Sequence, residues 1–196
     1  MKMEFLSLNM VEIQCLIRLH TTILPVYMGM FILVFLVRNY RIMNSKIALF
    51  PGSFDPFTKG HESVVLKSLQ LFEKVIIAIG VNTSKNYYFE LDKRKSQIQS
   101  LFEAADDRVS IVTYSSLTVD LCKALGAHYI VRGLRNSNDF EYEYSIAQMN
   151  QSMSGIETVF FTTEPQFSPI NATIVREIHK NKGDISHFVT NSHLLV

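Results

Sequence analysis

The chain has 196 residues, with 19 lysines and arginines against 18 aspartates and glutamates and a formal net charge of +1. A chain of this length suits one domain with a well-developed core, and its balanced charge offers no basic field of the kind that attracts nucleic acid. The two cysteines, Cys15 and Cys122, match neither a metal-binding nor a redox spacing. We therefore expect a cytoplasmic location, no nucleic-acid partner, and a Cys122 that packs as a small buried hydrophobe.

The first distinctive segment is an uncharged apolar run at residues 23–37, with arginines on both sides. It is barely long enough to span a bilayer, and an internal proline and glycine weaken it as a helix. Met43 stands just before the first predicted strand, where an α/β domain would begin. We therefore expect an apolar extension at residues 1–42, either a misassigned start or a membrane anchor, and a domain at residues 43–196. Membrane attachment is the less favoured alternative.

Extended and helical patterns alternate after residue 45. Runs rich in β-branched residues predict five strands, at residues 46–50, 74–81, 109–114, 128–132 and 158–163. Apolar residues at helical spacing predict five helices. The first begins near His61, the second contains Ile98 to Ala105, and the third ends at Gly126. The fourth runs over 137–153 and the fifth over 171–181. The alternation predicts an α/β fold with a doubly wound, five-stranded parallel sheet of the Rossmann-like type.

The turn after the first strand holds the densest cluster of functional signals. Residues 50–61 read Phe-Pro-Gly-Ser-Phe-Asp-Pro-Phe-Thr-Lys-Gly-His. The two glycines let the backbone approach a ligand closely, and the start of the next helix offers free N–H groups and a partial positive charge. His61 adds a side-chain donor at the same place. An ordinary turn with a packed histidine is the alternative, but the crowding of these features favours a phosphate site.

Polar residues also follow the other predicted strands. Lys85 follows the second strand and Thr118 the third, while Arg132 and Arg135 flank a glycine after the fourth. Ligands of a doubly wound sheet bind beyond the carboxyl ends of its strands. We therefore expect these side chains and His61 to gather on one rim, where the planar forks of the arginines suit phosphate oxygens.

Acidic residues on the fourth predicted helix leave two interpretations open. Asp139 and Glu143 share a face of that helix, where like charges repel unless a cation compensates. They could contact a ribose, a metal or the nearby arginines, or form a solvated acidic face. Arg135 could simply pair with Asp139 at the i+4 spacing.

The residue types predicted for this rim limit the kinds of reaction that the site could catalyse. The sequence shows no Ser–His–Asp or Cys–His set, no paired carboxylates where acid–base catalysis would need them, and no protein metal site. Cations, amide donors and one histidine suit phosphoryl-type transfer, in which catalysis is mainly positioning and charge neutralisation. The attacking group would then belong to a second substrate.

Four blocks of sequence resemble the nucleotidyltransferase superfamily and, within it, the bacterial phosphopantetheine adenylyltransferase family. The Thr58-Lys59-Gly60-His61 stretch matches the T/H-x-G-H signature of the superfamily, and the third block is specific to the family. The four blocks are Pro51–Pro56 with Thr58–His61, Ser84–Lys85, Ile130–Arg135 with Asp139–Glu143, and Ile170–Glu177.

The resemblance implies transfer of the adenylyl group of ATP to 4′-phosphopantetheine, giving dephospho-coenzyme A and pyrophosphate, with Mg²⁺ accompanying ATP and a homo-oligomer, typically a hexamer. By position it implies His61 as transition-state stabiliser, with Lys85, Arg132 and Arg135 as further catalytic residues. Acceptor-binding residues would be Ser53, Lys85, Thr118 and Arg132. ATP-binding residues would be Ser53, Phe54, His61, Gly133, Leu134, Arg135, Glu143, Phe167, Ser168, Pro169, Ile170, Asn171, Ala172 and Thr173.

Departures from the family pattern keep alternatives open. Asn171 and Ala172 stand in a segment that is serine-rich in the family, and Ser116 stands where an acidic residue is common. One alternative is another nucleotidyltransferase of the same fold that uses a different phosphorylated acceptor, although such enzymes usually carry histidine where Thr58 stands. The other is a membrane-tethered nucleotide-binding module without turnover.

Overall fold

The computed structural model describes residues 46–82 and 84–195, so the predicted extension at 1–42 lies outside the described residues. The strands are β1 (Ile47–Gly52), β2 (Lys74–Gly80), β3 (Val109–Tyr114), β4 (Tyr129–Leu134) and β5 (Glu157–Thr162). The helices are α1 (Lys59–Leu71), α2 (Leu91–Phe102), α3 (Thr118–Leu125), α4 (Ser137–Ser154) and α5 (Ala172–Lys180), with 3-10 helices at Glu103–Arg108 and Ser192–Leu195. Within the described part of the chain, no helix combines the length and apolar character needed to cross a bilayer.

The strands form one parallel sheet in the order β3-β2-β1-β4-β5. The chain builds outward from β1 through β2 to β3 and then returns to the other side of β1 for β4 and β5. The predicted doubly wound, five-stranded parallel fold is therefore confirmed. The strand order reverses between β1 and β4, and the crevice beyond the carboxyl ends of these two strands is where such a sheet places its ligands.

Helices cover both faces of the sheet, which is why its central strands are apolar on both sides. One cluster packs α1 and α2 against the sheet and includes Phe57, Val65 and Ile98. A second packs α3 on the opposite face and includes Val119 and Cys122. Cys122 is fully buried, as predicted, and burial raises the pKa of its thiol to about 11, so it remains protonated at neutral pH.

The structure corrects several predicted boundaries near the rim. β1 continues to Gly52, which pairs with Ile79 of β2. β4 continues two residues beyond the predicted end because its pairing with β5 extends to Leu134, so Gly133 lies within the strand and not after it. α1 begins earlier than predicted, at Lys59, and α2 ends at Phe102, where a 3-10 helix replaces the predicted continuation to Ala105.

Candidate active site

The turn between β1 and α1 depends on a close contact that only glycine permits. A Cβ atom at residue 52 would lie 2.8 Å from the ring of Phe54, so a side chain there would displace the ring. Phe54 itself has a φ of 46°, a left-handed conformation that costs a non-glycine residue about 1 kcal/mol or more. Gly52 and Phe54 together direct the chain so that Ser53 lies at the carboxyl end of β1.

A second close contact brings α1 against β4. A Cβ atom at Gly133 would lie 2.7 Å from Cγ2 of Val64. Since Val64 stands one helical turn after His61, this packing holds the start of α1 beside the end of β4. The absence of a side chain at residue 133 therefore lets His61 and Arg132 line the same cavity.

His61 is held as a neutral hydrogen-bond donor. The backbone N–H of Thr58 donates to His61 Nδ1 at 3.0 Å, and the Thr58 hydroxyl lies 3.1 Å from the same nitrogen. Nδ1 is thus an acceptor, which assigns the ring proton to Nε2. Burial, with smaller contributions from the charges of Arg132 and Arg135, lowers the pKa of His61 to about 4. At neutral pH the imidazole is therefore uncharged and offers an N–H for hydrogen bonding.

Arg132 is fixed by three hydrogen bonds to two neighbouring elements. Its Nε donates to Glu143 Oε2 at 2.6 Å, and Nη2 donates to the other carboxylate oxygen. Nη1 donates to the carbonyl of Pro51 at 2.5 Å. The bidentate pair defines the plane of the guanidinium group. Arg132 is therefore a preorganised cation at the end of the crevice between β1 and β4.

Arg135 forms the i+4 ion pair with Asp139 that the sequence left open, with 2.9 Å between Nε and Oδ2. Burial raises the pKa of the Asp139 carboxyl, but hydrogen bonds and charge from Arg135 outweigh it, so the pKa lies below its usual value. Arg135 nevertheless lines the same cavity as His61. Asp139 and Glu143, the two acidic residues that share a face of α4, are thus each compensated by an arginine, which excludes the interpretation of that face as a solvated acidic one.

Two cavities meet at the carboxyl ends of the strands. The histidine cavity, which contains His61, has a volume of about 300 Å³. The lysine cavity, which contains Lys85, has a volume of about 620 Å³. The residues that line both are Pro51, Gly52, Ser53, Arg132 and Glu143. Two ligands bound side by side in these cavities would share the Arg132 guanidinium between them.

Most of the predicted site residues lie in these two cavities. The histidine cavity is lined by Ser53, Phe54, His61, Gly133, Arg135, Glu143, Phe167, Ile170, Asn171 and Ala172. The lysine cavity is lined by Ser53, Lys85, Thr118 and Arg132. Of the predicted ATP-binding residues, those that do not line the histidine cavity are Leu134, Ser168, Pro169 and Thr173.

The residues outside the cavity include two that bond to arginines near it. The Ser168 hydroxyl donates to the carbonyl of Arg135 at 3.2 Å, and the Thr173 hydroxyl accepts from Arg176 at 3.0 Å. Leu134 follows Gly133 in β4, and neighbouring residues of a strand point to opposite faces. These three residues therefore do not form the wall of the histidine cavity.

The sequence prediction missed several residues of the lysine cavity. Tyr114 ends β3, and its hydroxyl lies 3.1 Å from that of Thr118. The rule that ligands bind beyond strand ends could have found Tyr114. Ile146 and Asn150 also line this cavity from α4, and their helical spacing from the predicted Glu143 is the signal that could have found them.

The cleft at the strand-order reversal, lined by arginines, a lysine and a neutral histidine, suits an enzyme that stabilises phosphate charge, and the comparisons with known proteins assign that enzyme to the nucleotidyltransferases. The cytidylyltransferase-like family matches residues 49–178. Phosphopantetheine adenylyltransferase of Cytophaga hutchinsonii is 52% identical over 146 residues, which cover 74% of this chain and 97% of the relative. The enzyme of the same name from Flavobacterium psychrophilum is 49% identical over 142 residues, or 72% and 93% of the two chains. This chain belongs to the phosphopantetheine adenylyltransferase family.

A solved structure supports the fold independently. The bifunctional NMN adenylyltransferase/ADP ribose pyrophosphatase from Francisella tularensis matches with a TM-score of 0.58 and 22% sequence identity. The match covers 76% of this chain and 48% of that protein, so this chain spans about half its length. At this level of identity the likeness concerns the arrangement of strands and helices alone.

Proposed function

We propose that the protein transfers the adenylyl group of ATP to 4′-phosphopantetheine, forming dephospho-coenzyme A and releasing pyrophosphate. Family membership supports this reaction. The single structural observation that carries it is the junction of two cavities at Arg132 and Ser53. A reaction between two bound anions needs them side by side around a shared cation, and this junction offers that arrangement.

ATP is proposed to occupy the histidine cavity and the acceptor the lysine cavity. Arg135, together with the start of α5 at Asn171, supplies donors for the triphosphate. Lys85 and Thr118 are proposed to hold the phosphate end of 4′-phosphopantetheine. Arg132 would face both phosphates, with its guanidinium plane fixed by Glu143.

The proposed chemical step is a direct in-line displacement. An oxygen of the acceptor phosphate attacks the α-phosphorus of ATP, the bond from that phosphorus to the oxygen bridging the β-phosphate breaks, and pyrophosphate leaves with the bonding electrons. The His61 Nε2–H donates to an oxygen on the α-phosphorus as negative charge develops there. His61 is not proposed as a general base, because Nδ1 already accepts from Thr58 and Nε2 carries the proton.

Mg²⁺ is proposed to enter as the metal complex of ATP. Within the residues that the structure describes, no group of three or more histidine, cysteine or acidic side chains is arranged to hold a metal ion. Mg²⁺ suits a site with few protein ligands, because it keeps several of its water ligands and is bound through substrate phosphates more often than by a cage made only of protein groups. When bound, it would neutralise phosphate charge.

We further propose that the protein forms a homo-oligomer through α4, a hexamer by resemblance to the family. Tyr142, Met149 and Met153 of this helix are exposed by 68%, 66% and 54%, and large exposed apolar groups on one element are typical of interaction surfaces. Light scattering should report an oligomer. Met149→Glu should lower its mass, and an unchanged mass would exclude this surface.

Pyrophosphate release from ATP tests the proposed reaction. The full chain is assayed with 4′-phosphopantetheine, nicotinamide mononucleotide or glycerol 3-phosphate, each offered alone. Release with 4′-phosphopantetheine only is the expected result. Release with another acceptor would favour a different nucleotidyltransferase of this fold, and no release with any acceptor would favour a binding module without turnover.

The division into an extension at 1–42 and a domain at 43–196 remains a proposal, as does the cytoplasmic location. A chain that begins at Met43 should retain full pyrophosphate release if the extension takes no part in the reaction. Loss of activity in that chain, with normal activity of the full chain, would assign the extension a role.

A further inference from the structure

We infer that Tyr87 is a positioning residue for the acceptor site, and that it acts on the acceptor through Lys85. The inference rests on the proposed function, in which Lys85 holds the phosphate of 4′-phosphopantetheine. Lys85 lies on an exposed turn after β2. A lysine side chain loses rotamer entropy when it is fixed, so the contribution of Lys85 to binding depends on how well its backbone is held.

The Tyr87 hydroxyl joins the two residues that end β2 and start the turn. It donates to the carbonyl of Gly80 at 3.0 Å, and it accepts from the backbone N–H of Asn82 at 2.9 Å. One of these backbone groups belongs to the last residue of β2 and the other lies just after it. One hydroxyl therefore fixes where the chain leaves the sheet.

Asn82 in turn holds the backbone of Lys85. The Lys85 N–H donates to the Asn82 carbonyl at 3.0 Å, and the Asn82 side chain accepts from the backbone N–H and hydroxyl of Ser84 at 2.8 Å and 2.6 Å. The contacts run continuously from the Tyr87 hydroxyl through Asn82 to Lys85. A shift of Asn82 would move the lysine.

The ring of Tyr87 is fixed from the opposite side. The Arg94 guanidinium lies 4.3 Å from the ring centroid, a distance suited to a cation–π contact. Arg94 is 1% exposed and donates to the carbonyl of Ser53 at 2.6 Å and to that of Phe89 at 3.0 Å. Tyr87 thus spans the distance between the Ser53 turn of the histidine cavity and the end of β2.

The side chain of Asp55, two residues after Ser53, also holds the segment that follows Tyr87. Asp55 Oδ2 accepts from the N–H of Tyr88 and Oδ1 accepts from the N–H of Phe89, both at 2.9 Å. The chain after Tyr87 is therefore tied to the turn that lines the histidine cavity. The position of Lys85 relative to ATP is set by these anchors and by the Tyr87 hydroxyl.

The variant Tyr87→Phe tests the inference because it keeps the ring on Arg94 and removes only the hydroxyl. Loss of the two hydrogen bonds of this hydroxyl should raise the KM for 4′-phosphopantetheine about tenfold. The KM for ATP should change less than about twofold. Tyr88→Phe is the matched control, since it removes a hydroxyl that contacts His179 at 3.0 Å. We expect it to leave both KM values unchanged.

A double-mutant cycle with Lys85→Ala separates positioning from a general structural role. All variants are measured below their melting temperatures. Lys85→Ala alone should raise the acceptor KM, and adding Tyr87→Phe to it should raise the KM no further. An equal rise in both backgrounds, or no effect of Tyr87→Phe on the wild-type chain, would overturn the inference while leaving the proposed function intact. No effect of Lys85→Ala would overturn both the inference and the role of Lys85, and a wild-type chain inactive with 4′-phosphopantetheine would overturn the proposed function itself.

Discussion

The charged and polar groups of the two cavities stand on different kinds of element. Arg132 on β4 and His61 in the first turn of α1, which line the histidine cavity, stand on a strand and a helix. Lys85, which lines the lysine cavity, stands on the irregular segment after β2. Groups on helices and strands are held more precisely than groups on loops. In the proposed reaction, charge stabilisation by His61 and Arg132 would thus have rigid support, whereas acceptor recognition by Lys85 would depend on local hydrogen bonds.

The largest effect on turnover is expected in the histidine cavity, from substitution of His61. His61→Ala removes the neutral donor that is proposed to face the developing charge, so we expect kcat to fall about 10³-fold while the KM for ATP changes only a few-fold. Steady-state kinetics with both substrates measures this. His61→Asn, which retains a side-chain N–H, is the comparison variant and should keep more activity than alanine.

An equal loss of ATP binding and turnover in His61→Ala would contradict the transition-state role. It would mean that the imidazole binds the ground state as strongly as the transition state.

The next largest effect should appear at the junction of the cavities. Arg132→Lys cannot keep the bidentate pair with Glu143 or the bond to Pro51. We expect kcat/KM to fall about 10²-fold with respect to both substrates, which distinguishes the shared residue from residues of one cavity. Arg108→Lys is a matched control, because Arg108 contacts backbone carbonyls such as that of Glu73, before β2. A loss confined to one substrate would show that the cavities do not share Arg132.

Acid should destabilise the protein through His61. Its pKa is lowered from 6.5 to about 4 in the folded state, so the unfolded chain binds more protons between these values. The corresponding stability is complete above pH 6.5 and is lost as the pH falls toward 4. Urea unfolding should show His61 contributing ~1–2 kcal/mol to the difference between pH 7 and pH 5. His61→Asn should reduce that difference, and an unchanged slope would contradict the buried neutral imidazole.

The smallest expected effect concerns the departure from the family pattern at α5. Ala172 lines the histidine cavity at the first residue of this helix. Ala172→Ser would add a hydroxyl donor there, so we expect the KM for ATP to fall about twofold to threefold with no change for the acceptor. Ile174→Ser, at a residue of the same helix that is 53% exposed, is the control. A change in the acceptor KM would contradict the assignment of this cavity to ATP.

Strand periodicity predicted the sheet because its strands are buried on both faces and read as apolar runs. The strand-end rule predicted the meeting of His61 with the two arginines, because that meeting follows from topology alone. The choice among possible partners was not predictable. The sequence left the partner of Glu143 open, and its bond to Arg132 joins a strand to a helix. The contact of Arg94 with Tyr87 depends on side-chain packing. β4 extended past its predicted end because neighbouring β5 supplied the hydrogen bonds.

The stereochemistry of transfer tests the central claim most directly. ATP made chiral at the α-phosphorus with sulfur and supplied to the full chain with 4′-phosphopantetheine should give a product with inverted configuration, because one in-line attack occurs between the two cavities. Retained configuration would indicate two displacements and therefore a covalent intermediate on the protein. That result would contradict direct transfer.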